Sequence, residues 1–264
     1  MSERVQLTID NAVATVRMSR PDKLNALDAD MFEGLIQTGK RIMADKSIRA
    51  VVLHGEGKGF SAGLDFASFL GKPQLMQKLL ERTDESPANM AQRAGWIWQE
   101  VNVPVIAAVH GVCLGGGLQI ALGADIRYVA PTAKMSVLEI KWGLIPDMSI
   151  TQTLLRLVPL DVAKELTFTG RVISGTEAVE LGLATKASED PLANALETAK
   201  LIASKSPHAI RAGKTLLDEA PSMSRLDALK LETALQVTLL GSPNQMEAVQ
   251  ANMMKREPEF KDPD

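Results

Sequence analysis

The stretch from Val103 to Asp125 constrains the fold more than any other part of the sequence. Its first half contains Val105 to Val109, a short apolar run rich in β-branched residues that predicts a buried strand. Three glycines, Gly115 to Gly117, then precede a compact apolar segment of helical character. Glycines at such a junction let backbone N–H groups approach a ligand, and the helix dipole there favours negative charge. The stretch therefore predicts a strand, a glycine turn and a helix start that suit an anion.

A second stretch presents the same local arrangement. A buried strand is predicted over Ala50 to His54, and a glycine-rich loop from Gly55 to Asp65 separates it from a predicted helix. Two such loops could hold one oxyanion between them, which suits an enolate or a tetrahedral intermediate. A purely structural role stays open for either loop, since glycine turns before helices are common. Neither loop is a nucleotide-binding motif, because no Gly-Lys-Ser/Thr follows and Gly115 to Gly117 lacks the Rossmann spacing.

Other periodic segments surround these two units. The patterns predict a hairpin over 5–18, a helix over 28–44, a helix over 89–100, a strand over 126–129 and a helix over 149–157. Residues 66–88 are less regular, and we expect a mobile segment with partial helix. No strand pattern follows residue 206. We therefore predict a mixed α/β body over residues 1–200 and a helical region over 201–264.

Charge and cysteine content exclude several classes of protein. A formal net charge of −3 gives no electrostatic reason to expect nucleic acid or an anionic membrane as a partner, and no apolar run reaches the ~18 residues of a membrane helix. The single cysteine, Cys113, excludes an internal disulfide framework, and His54 and His208 lack the neighbours of a metal site. Because the first residues contain no apolar signal region, we expect a cytoplasmic protein.

Glu139 is the carboxylate that the sequence singles out. It lies between Leu138 and Ile140, and burial in apolar surroundings raises a carboxyl pKa toward the range of a general base. A solvent-facing Glu on an amphipathic turn is the alternative. Asp147 follows Pro146, and helix capping is an equally open interpretation of this residue.

An ordered set of motifs resembles the crotonase (enoyl-CoA hydratase/isomerase) superfamily. The motifs are Asn25-Ala26-Leu27, Phe60-Ser61-Ala62-Gly63-Leu64-Asp65, Val109-His110-Gly111 with Gly115 to Gly117, Ala124-Asp125-Ile126, Glu139 to Pro146, and Gly182-Leu183-Ala184. Each motif alone is weak, but the ordered set extends over essentially the whole chain and is highly specific.

The resemblance implies a fold and a substrate class. The body, residues 1–200, would be a spiral of ββα repeats, and residues 201–264 would form the helices that build a homotrimer or a dimer of trimers. Substrates would be acyl-CoA thioesters, with no separate cofactor or metal because coenzyme A enters as part of the substrate. The thioester oxygen would bind the N–H groups of Leu64 and Gly116.

The resemblance also maps coenzyme A contacts onto this chain. They are Lys23, Ala26, Ser61, Ala62, Gly63 and Asp65, together with Phe260 and Lys261, an aromatic and basic pair that would reach coenzyme A from a neighbouring subunit.

Two departures from the family pattern bear on the reaction. Hydratases of the family carry one acid at the position of Glu139 and another at the position of Gln119, where this chain has a neutral amide that cannot exchange a proton at ordinary pH. Asp147 stands where hydratases have a glycine-rich turn, and an acid there resembles the isomerase branches. We therefore predict an enoyl-CoA isomerase in which Glu139, Asp147 and Gln119 form the catalytic set. The alternatives are a hydratase in which Gln119 positions water for Glu139, and a non-catalytic acyl-CoA-binding protein.

Overall fold

Two β-sheets and a set of helices make up the part of the chain that the computed structural model describes, residues 4–82, 84 and 86–263. The strands are β1 (Val5–Asp10), β2 (Val13–Met18), β3 (Ala50–Gly55), β4 (Val105–Val109), β5 (Val112–Leu114), β6 (Ile126–Val129), β7 (Lys134–Ser136), β8 (Ile173–Ser174) and β9 (Lys186–Ala187). The prediction of an α/β fold is confirmed. Residues 1–3, to which the expectation about a signal region refers, lie outside the described residues.

The larger sheet has the strand order β1-β2-β3-β4-β6-β9. Strands β1 and β2 form the predicted hairpin around a turn at Asn11 and Ala12, where φ is positive at both residues, and all other neighbours in this sheet are parallel. The smaller sheet has the order β5-β7-β8. Because β4 is central in the larger sheet, all five of its residues are buried.

Helices follow the strands and form most of the C-terminal part. They are α1 (Ala29–Ala44), α2 (Phe66–Phe69), α3 (Pro73–Leu80), α4 (Met90–Glu100), α5 (Gly116–Leu122), α6 (Ile150–Leu157), α7 (Leu160–Thr169), α8 (Gly175–Glu180), α9 (Pro191–Ala203), α10 (Pro207–Glu219), α11 (Arg225–Leu239) and α12 (Pro243–Met254). The predicted helices over 28–44, 89–100 and 149–157 are confirmed within one residue at each start, and partial helix within 66–88 is confirmed as α2 and α3.

Successive segments alternate between the two sheets. Strand β4 enters the larger sheet, β5 enters the smaller one and α5 follows, and then β6 and β7 repeat the alternation. The parallel register pairs Val51 of β3 with Val105 of β4. Both strands therefore end at the same edge of the sheet, which brings the glycine loops that follow them together.

The long helix α9 closes one face of the larger sheet. Its residues Ala195, Ala199 and Ala203 pack on Val52 of β3 and Ile106 of β4. Residue 200, the predicted end of the body, lies inside this helix. From residue 207 to 263 the described chain contains helices and no strand. Among the described residues, no helix has both the length and the apolar character needed to cross a membrane.

Candidate active site

The two glycine loops lie against each other at the edge of the larger sheet. Ser61 of the first loop and Cys113 of β5, the strand that leads into the second loop, form a parallel bridge, in which the Leu114 N–H donates to the Ser61 carbonyl at 3.0 Å. Glycine is required at Gly63, where φ is +84° and a Cβ would lie 2.6 Å from the Leu114 carbonyl oxygen. The first loop is therefore fixed directly onto the second.

Two unused backbone donors lie at this junction. Neither the Leu64 N–H nor the Gly116 N–H has a hydrogen-bond partner in the part of the chain that the structure describes. Gly116 is the first residue of α5, where an N–H has no acceptor within the helix. On either side of Leu64, the Leu27 N–H donates to Gly63 O at 2.8 Å and the Asp65 N–H donates to Leu27 O at 3.0 Å. Both donors belong to residues that line one cavity.

This cavity has a volume of about 300 Å³ and a mainly apolar wall. Its apolar lining includes Phe32, Phe66, Met76, Leu79, Ala91, Leu138, Trp142 and Met148. The rings of Phe66 and Trp142 contact each other with their centroids 4.5 Å apart. Glu139 and Asp147 are the ionisable residues of the described lining. An apolar cavity with a few convergent polar groups is the usual form of a small-molecule site.

Glu139 begins a 3₁₀ turn, Glu139–Trp142, that follows β7. Its Oε1 accepts a hydrogen bond from Gln119 Nε2 at 2.6 Å, whereas its Oε2 is buried and has no partner among the described residues. Burial raises the pKa of Glu139 and the charge of Asp147 adds to this effect, while the Gln119 hydrogen bond opposes it. The solvent-facing alternative for Glu139 is therefore wrong.

Gln119 lies behind Glu139 in α5 and uses its amide at both ends. Nε2 donates to Glu139, and Oε1 accepts from the Met148 N–H at 2.8 Å. The side chain is only 1% exposed, and Gln119 is absent from the described lining of the cavity. The amide is therefore placed to orient the Glu139 carboxylate.

Asp147 lines the cavity from the loop that precedes α6. The helix begins at Ile150 with Ser149 at the N-cap position, so the capping interpretation of Asp147 is wrong. Partial burial raises the pKa of Asp147, although it is more exposed than Glu139. Two carboxyl groups with raised pKa values beside one apolar cavity are suited to moving protons to and from a bound carbon chain.

Three of the predicted coenzyme A contacts lie where a ligand can reach them. Lys23 is exposed at the end of a 3₁₀ turn, Pro21–Lys23, and offers a cation. Ala62 and Gly63 line the cavity beside Leu64. Ala62 and Gly63 thus lie in the same cavity wall as the residues of the unused N–H groups, whereas a contact of Lys23 with coenzyme A stays a prediction.

Three other predicted contacts bind the protein itself. Ala26 is buried and its carbonyl accepts from Arg20 Nη1 at 3.0 Å. Ser61 is wholly buried, and its hydroxyl donates to the Asn25 carbonyl at 2.8 Å. Asp65 forms an ion pair with Arg20 at 2.8 Å. These groups shape the loop, and contacts of their side chains with coenzyme A stay predictions.

Phe260 and Lys261 are absent from the described lining of the cavity, and their backbones bind their own chain. Arg49 Nη2 donates to the Phe260 carbonyl at 2.9 Å, and the Lys261 N–H donates to Asn244 Oδ1 at 3.0 Å. Both bonds use the backbone, so the two side chains are not fixed by them. Their contact with coenzyme A bound to a neighbouring copy stays a prediction.

Leu27 and Met148 lie against the site, although the sequence predicts no catalytic or binding role for either. A Cβ added at Gly116 would lie 2.9 Å from Leu27 Cδ1 and 2.7 Å from Met148 Sδ, so both side chains pack on the glycine that carries an unused donor. Leu27 is part of the Asn-Ala-Leu motif, which could have indicated it. The Met148 contact with Gln119 is made by a backbone N–H, so the type of residue at position 148 could not have predicted it.

Two larger cavities, of about 510 and 600 Å³, lie against α10 and share Gln99, Arg156, Lys214 and Asp218. Lys214 Nζ already donates to Trp98 O at 3.1 Å, Val103 O at 3.2 Å and Asp125 Oδ2 at 2.8 Å. An ammonium group has three donors, so none is left for a ligand. We therefore assign the candidate active site to the smaller cavity, which joins two carboxyl groups to two unused N–H groups.

Comparisons with known proteins bear on the family of this chain. The family model described as enoyl-CoA hydratase/isomerase matches residues 8–263. A probable enoyl-CoA hydratase of Bacillus subtilis is 33% identical, with 97% of this chain and 98% of the relative covered. A peroxisomal Δ(3,5)-Δ(2,4)-dienoyl-CoA isomerase of Arabidopsis thaliana is 32% identical, with 98% of this chain and 96% of the relative covered.

A solved structure is similar over the whole chain. The crystal structure of an enoyl-CoA hydratase from Bacillus anthracis matches with a TM-score of 0.90 and 29% identity, covering 98% of this chain and 99% of that one. The fold is therefore the one found in these enzymes, as the motif set predicted.

Proposed function

This chain belongs to the enoyl-CoA hydratase/isomerase family, and from that premise we propose that it is an enoyl-CoA isomerase. It would convert a 3-enoyl-CoA into a 2-enoyl-CoA by moving one proton from C2 to C4 of the acyl chain. Membership of this family supports an acyl-CoA thioester as the substrate class. The choice of isomerase depends on three residues of the site, Gln119, Glu139 and Asp147.

The arrangement of Gln119 is the observation on which the proposal depends. Hydration needs a water molecule that is oriented and then deprotonated at the substrate. Both ends of the Gln119 amide are bound, to Glu139 and to the Met148 N–H, and the residue does not line the cavity in the described chain. The amide is thus poorly placed to orient water, whereas Asp147 adds a second carboxyl group at the cavity wall.

Proton removal begins the proposed reaction. Oε2 of ionised Glu139, which has no partner among the described residues, takes a proton from C2. The electron pair of that C–H bond moves into the C1–C2 bond, and negative charge develops on the thioester oxygen. The N–H groups of Leu64 and Gly116 would hold that oxygen. A single donor of this kind contributes roughly 2.7–4 kcal/mol to transition-state stabilisation in enzymes where it has been removed.

Proton return completes the reaction. The dienolate accepts a proton at C4, the double bond forms between C2 and C3, and the negative charge leaves the thioester oxygen. Either protonated Glu139 or Asp147 could supply this proton. A pKa raised by burial keeps Asp147 protonated at a higher pH than an ordinary carboxyl group, which favours it as an acid.

Two alternatives have less support from the site. A hydratase would lack the acid that the hydratase pattern has at the position of Gln119, although relatives with that name are as similar to this chain as the named isomerases. A non-catalytic acyl-CoA-binding protein has no need for two carboxyl groups with raised pKa values beside unused N–H groups.

Steady-state assays of the purified protein on 3-enoyl-CoA test the proposal. We expect 2-enoyl-CoA as the product, and we expect Glu139→Gln to lower kcat by about 10²–10⁴, the contribution of a positioned base. Glu257→Gln, at an exposed residue near the C-terminus, is the matched control and should keep full turnover. Unchanged turnover in Glu139→Gln would remove Glu139 from the role of base.

A homotrimer or a dimer of trimers is also proposed. Helix α11 buries none of its residues against its own chain, and it exposes Leu226, Leu229 and Val237 by 62%, 54% and 65%. Such an apolar face favours contact with another protein surface. Light scattering of the purified protein should give three or six times the mass of the chain, and a monomer would contradict this proposal. The cytoplasmic location stays a prediction.

A further inference from the structure

Leu27 and Leu64 form a parallel β-bridge at the wall of the cavity. The backbone of Leu27 binds the carbonyl of Gly63 at 2.8 Å and the N–H of Asp65 at 3.0 Å. These two bonds fix the peptide groups on both sides of Leu64. The orientation of the unused Leu64 N–H therefore depends on the position of Leu27.

Each residue of this bridge is followed by an aspartate, and the two aspartates are bound in the same way. Oδ1 of Asp28 accepts from the Met31 N–H at 2.9 Å and caps α1, and Oδ1 of Asp65 accepts from the Ser68 N–H at 3.3 Å and caps α2. The other oxygen of each carboxylate faces Arg20. Arg20 Nε lies 3.5 Å from Asp28 Oδ2, and Arg20 Nη1 lies 2.8 Å from Asp65 Oδ2.

Arg20 thus joins the two sides of the bridge. Its side chain is 10% exposed, and those of Asp28 and Asp65 are 12% and 15% exposed. Charges this far from water are unfavourable unless they are paired, so loss of the guanidinium would leave two carboxylates that repel each other across the bridge. Arg4 also binds Asp28, at 3.0 Å. Arg20 Nη1 in addition donates to the Ala26 carbonyl next to Leu27.

The same bridge sets the position of the second donor. A Cβ added at Gly116 would lie 2.9 Å from Leu27 Cδ1, so the Leu27 side chain packs directly on Gly116. Leu27 therefore contacts the residues of both unused N–H groups, one through its backbone and one through its side chain.

We infer that Arg20 is a positioning residue, which sets the distance between the Leu64 and Gly116 N–H groups by holding Asp28 and Asp65 on either side of the Leu27–Leu64 bridge. The inference depends on the proposed role of these N–H groups in binding a thioester oxygen. Arg20 is absent from the described lining of the cavity. It acts on the substrate only through the bridge.

A binding comparison tests the inference without turnover. Titration calorimetry would give Kd values for an acyl-CoA thioester and for the matching alkyl-CoA thioether, which lacks the carbonyl oxygen. We expect the wild-type protein to prefer the thioester by about tenfold, which is the order of magnitude that two net hydrogen bonds contribute. Arg20→Met should reduce the preference to below about threefold and leave the thioether Kd unchanged.

Two further variants separate positioning from general stability. Arg20→Lys keeps a charge but lacks the planar fork that reaches two carboxylates, so it should restore only part of the preference. Arg17→Met removes a guanidinium of β2 that contacts neither Asp28 nor Asp65 and should keep the full preference. If Arg20→Met does not fold, Asp65→Asn is measured in its place, because an amide oxygen can still cap α2 but loses the ion pair with Arg20.

Each outcome supports or overturns the inference. If Arg20→Met keeps the thioester preference, the inference about Arg20 is overturned and the proposed oxyanion site is not. The same holds for Asp65→Asn when that variant replaces Arg20→Met. A wild-type protein without any preference overturns the oxyanion site and the inference together. A wild-type protein that prefers the thioester but does not isomerise 3-enoyl-CoA overturns the proposed function, while the preference of the Arg20 variants still decides the inference.

Discussion

Gln119 Nε2 donates to Glu139 Oε1 at 2.6 Å, and this hydrogen bond selects one of the two carboxylate oxygens of Glu139. The opposite end of the amide is held by the Met148 N–H at 2.8 Å, so Gln119 cannot turn without breaking a buried bond. Oε2 of Glu139 is left without a partner among the described residues. The amide thus prepares one oxygen of Glu139 for proton transfer, and it cannot itself act as an acid or a base.

Replacing Gln119 with Leu should move the pH dependence of isomerisation to higher pH. The Gln119 hydrogen bond opposes the rise in pKa that burial causes at Glu139, so its loss raises this pKa further. Glu139 acts in its ionised form, and kcat/KM therefore increases as pH rises through its pKa. The midpoint of this increase should be higher in the variant than in the wild type. Gln152→Leu, at an exposed residue of α6, is the control, and equal midpoints in all three proteins would contradict the account.

Replacing Asp147 with Asn should shift the same midpoint in the opposite direction. The charge of Asp147 raises the pKa of Glu139, so a neutral amide lowers it and Glu139 ionises at lower pH. If Asp147 also returns the proton to C4, kcat should fall by about 10²–10⁴ at every pH. The exposed Asp161 of α7 gives the matched control, Asp161→Asn. A midpoint that rises in Asp147→Asn would show that the two carboxyl groups do not interact as described.

Replacing Gly116 with Ala should lower kcat while the fold is retained. The added Cβ would lie 2.7 Å from Met148 Sδ and 2.9 Å from Leu27 Cδ1, which displaces one of the two proposed oxygen donors. Loss of one such donor lowers kcat by about 10²–10³ in enzymes where it has been measured. Gly213→Ala is the control, because a Cβ there meets no atom within 4 Å. That variant should keep its activity and gain about 0.5–1 kcal/mol in free energy of unfolding. Equal activity of the two variants would argue against a donor at Gly116.

The sequence predicted much of the fold because its strong patterns are local. The run Val105–Val109 and the amphipathic helix after Asp28 follow the periods of buried strands and surface helices. The motif set was sufficient to identify the family, and the comparisons confirm it. It also indicated Glu139 and Asp147, which line the same cavity in the structure.

The remaining features depend on contacts between distant residues, which one sequence does not reveal. Burial of Ser61 follows from the bridge to Cys113, more than fifty residues later in the chain. The amide of Gln119 donates to Glu139 and accepts from the backbone N–H of Met148, and both partners are distant from it in the sequence. The position of Arg20 between two aspartates likewise becomes visible only when the chain is folded.

The origin of the oxygen atoms in the product tests the central claim most directly. The purified protein would be incubated in ¹⁸O-labelled water, with 3-enoyl-CoA in one reaction and 2-enoyl-CoA in another, and the products analysed by mass spectrometry. Our account predicts that 3-enoyl-CoA is converted to 2-enoyl-CoA of unchanged oxygen content, and that 2-enoyl-CoA gains label at a far lower rate. Incorporation of ¹⁸O into a 3-hydroxyacyl-CoA at a full enzymatic rate, without any shift of the double bond, would contradict it.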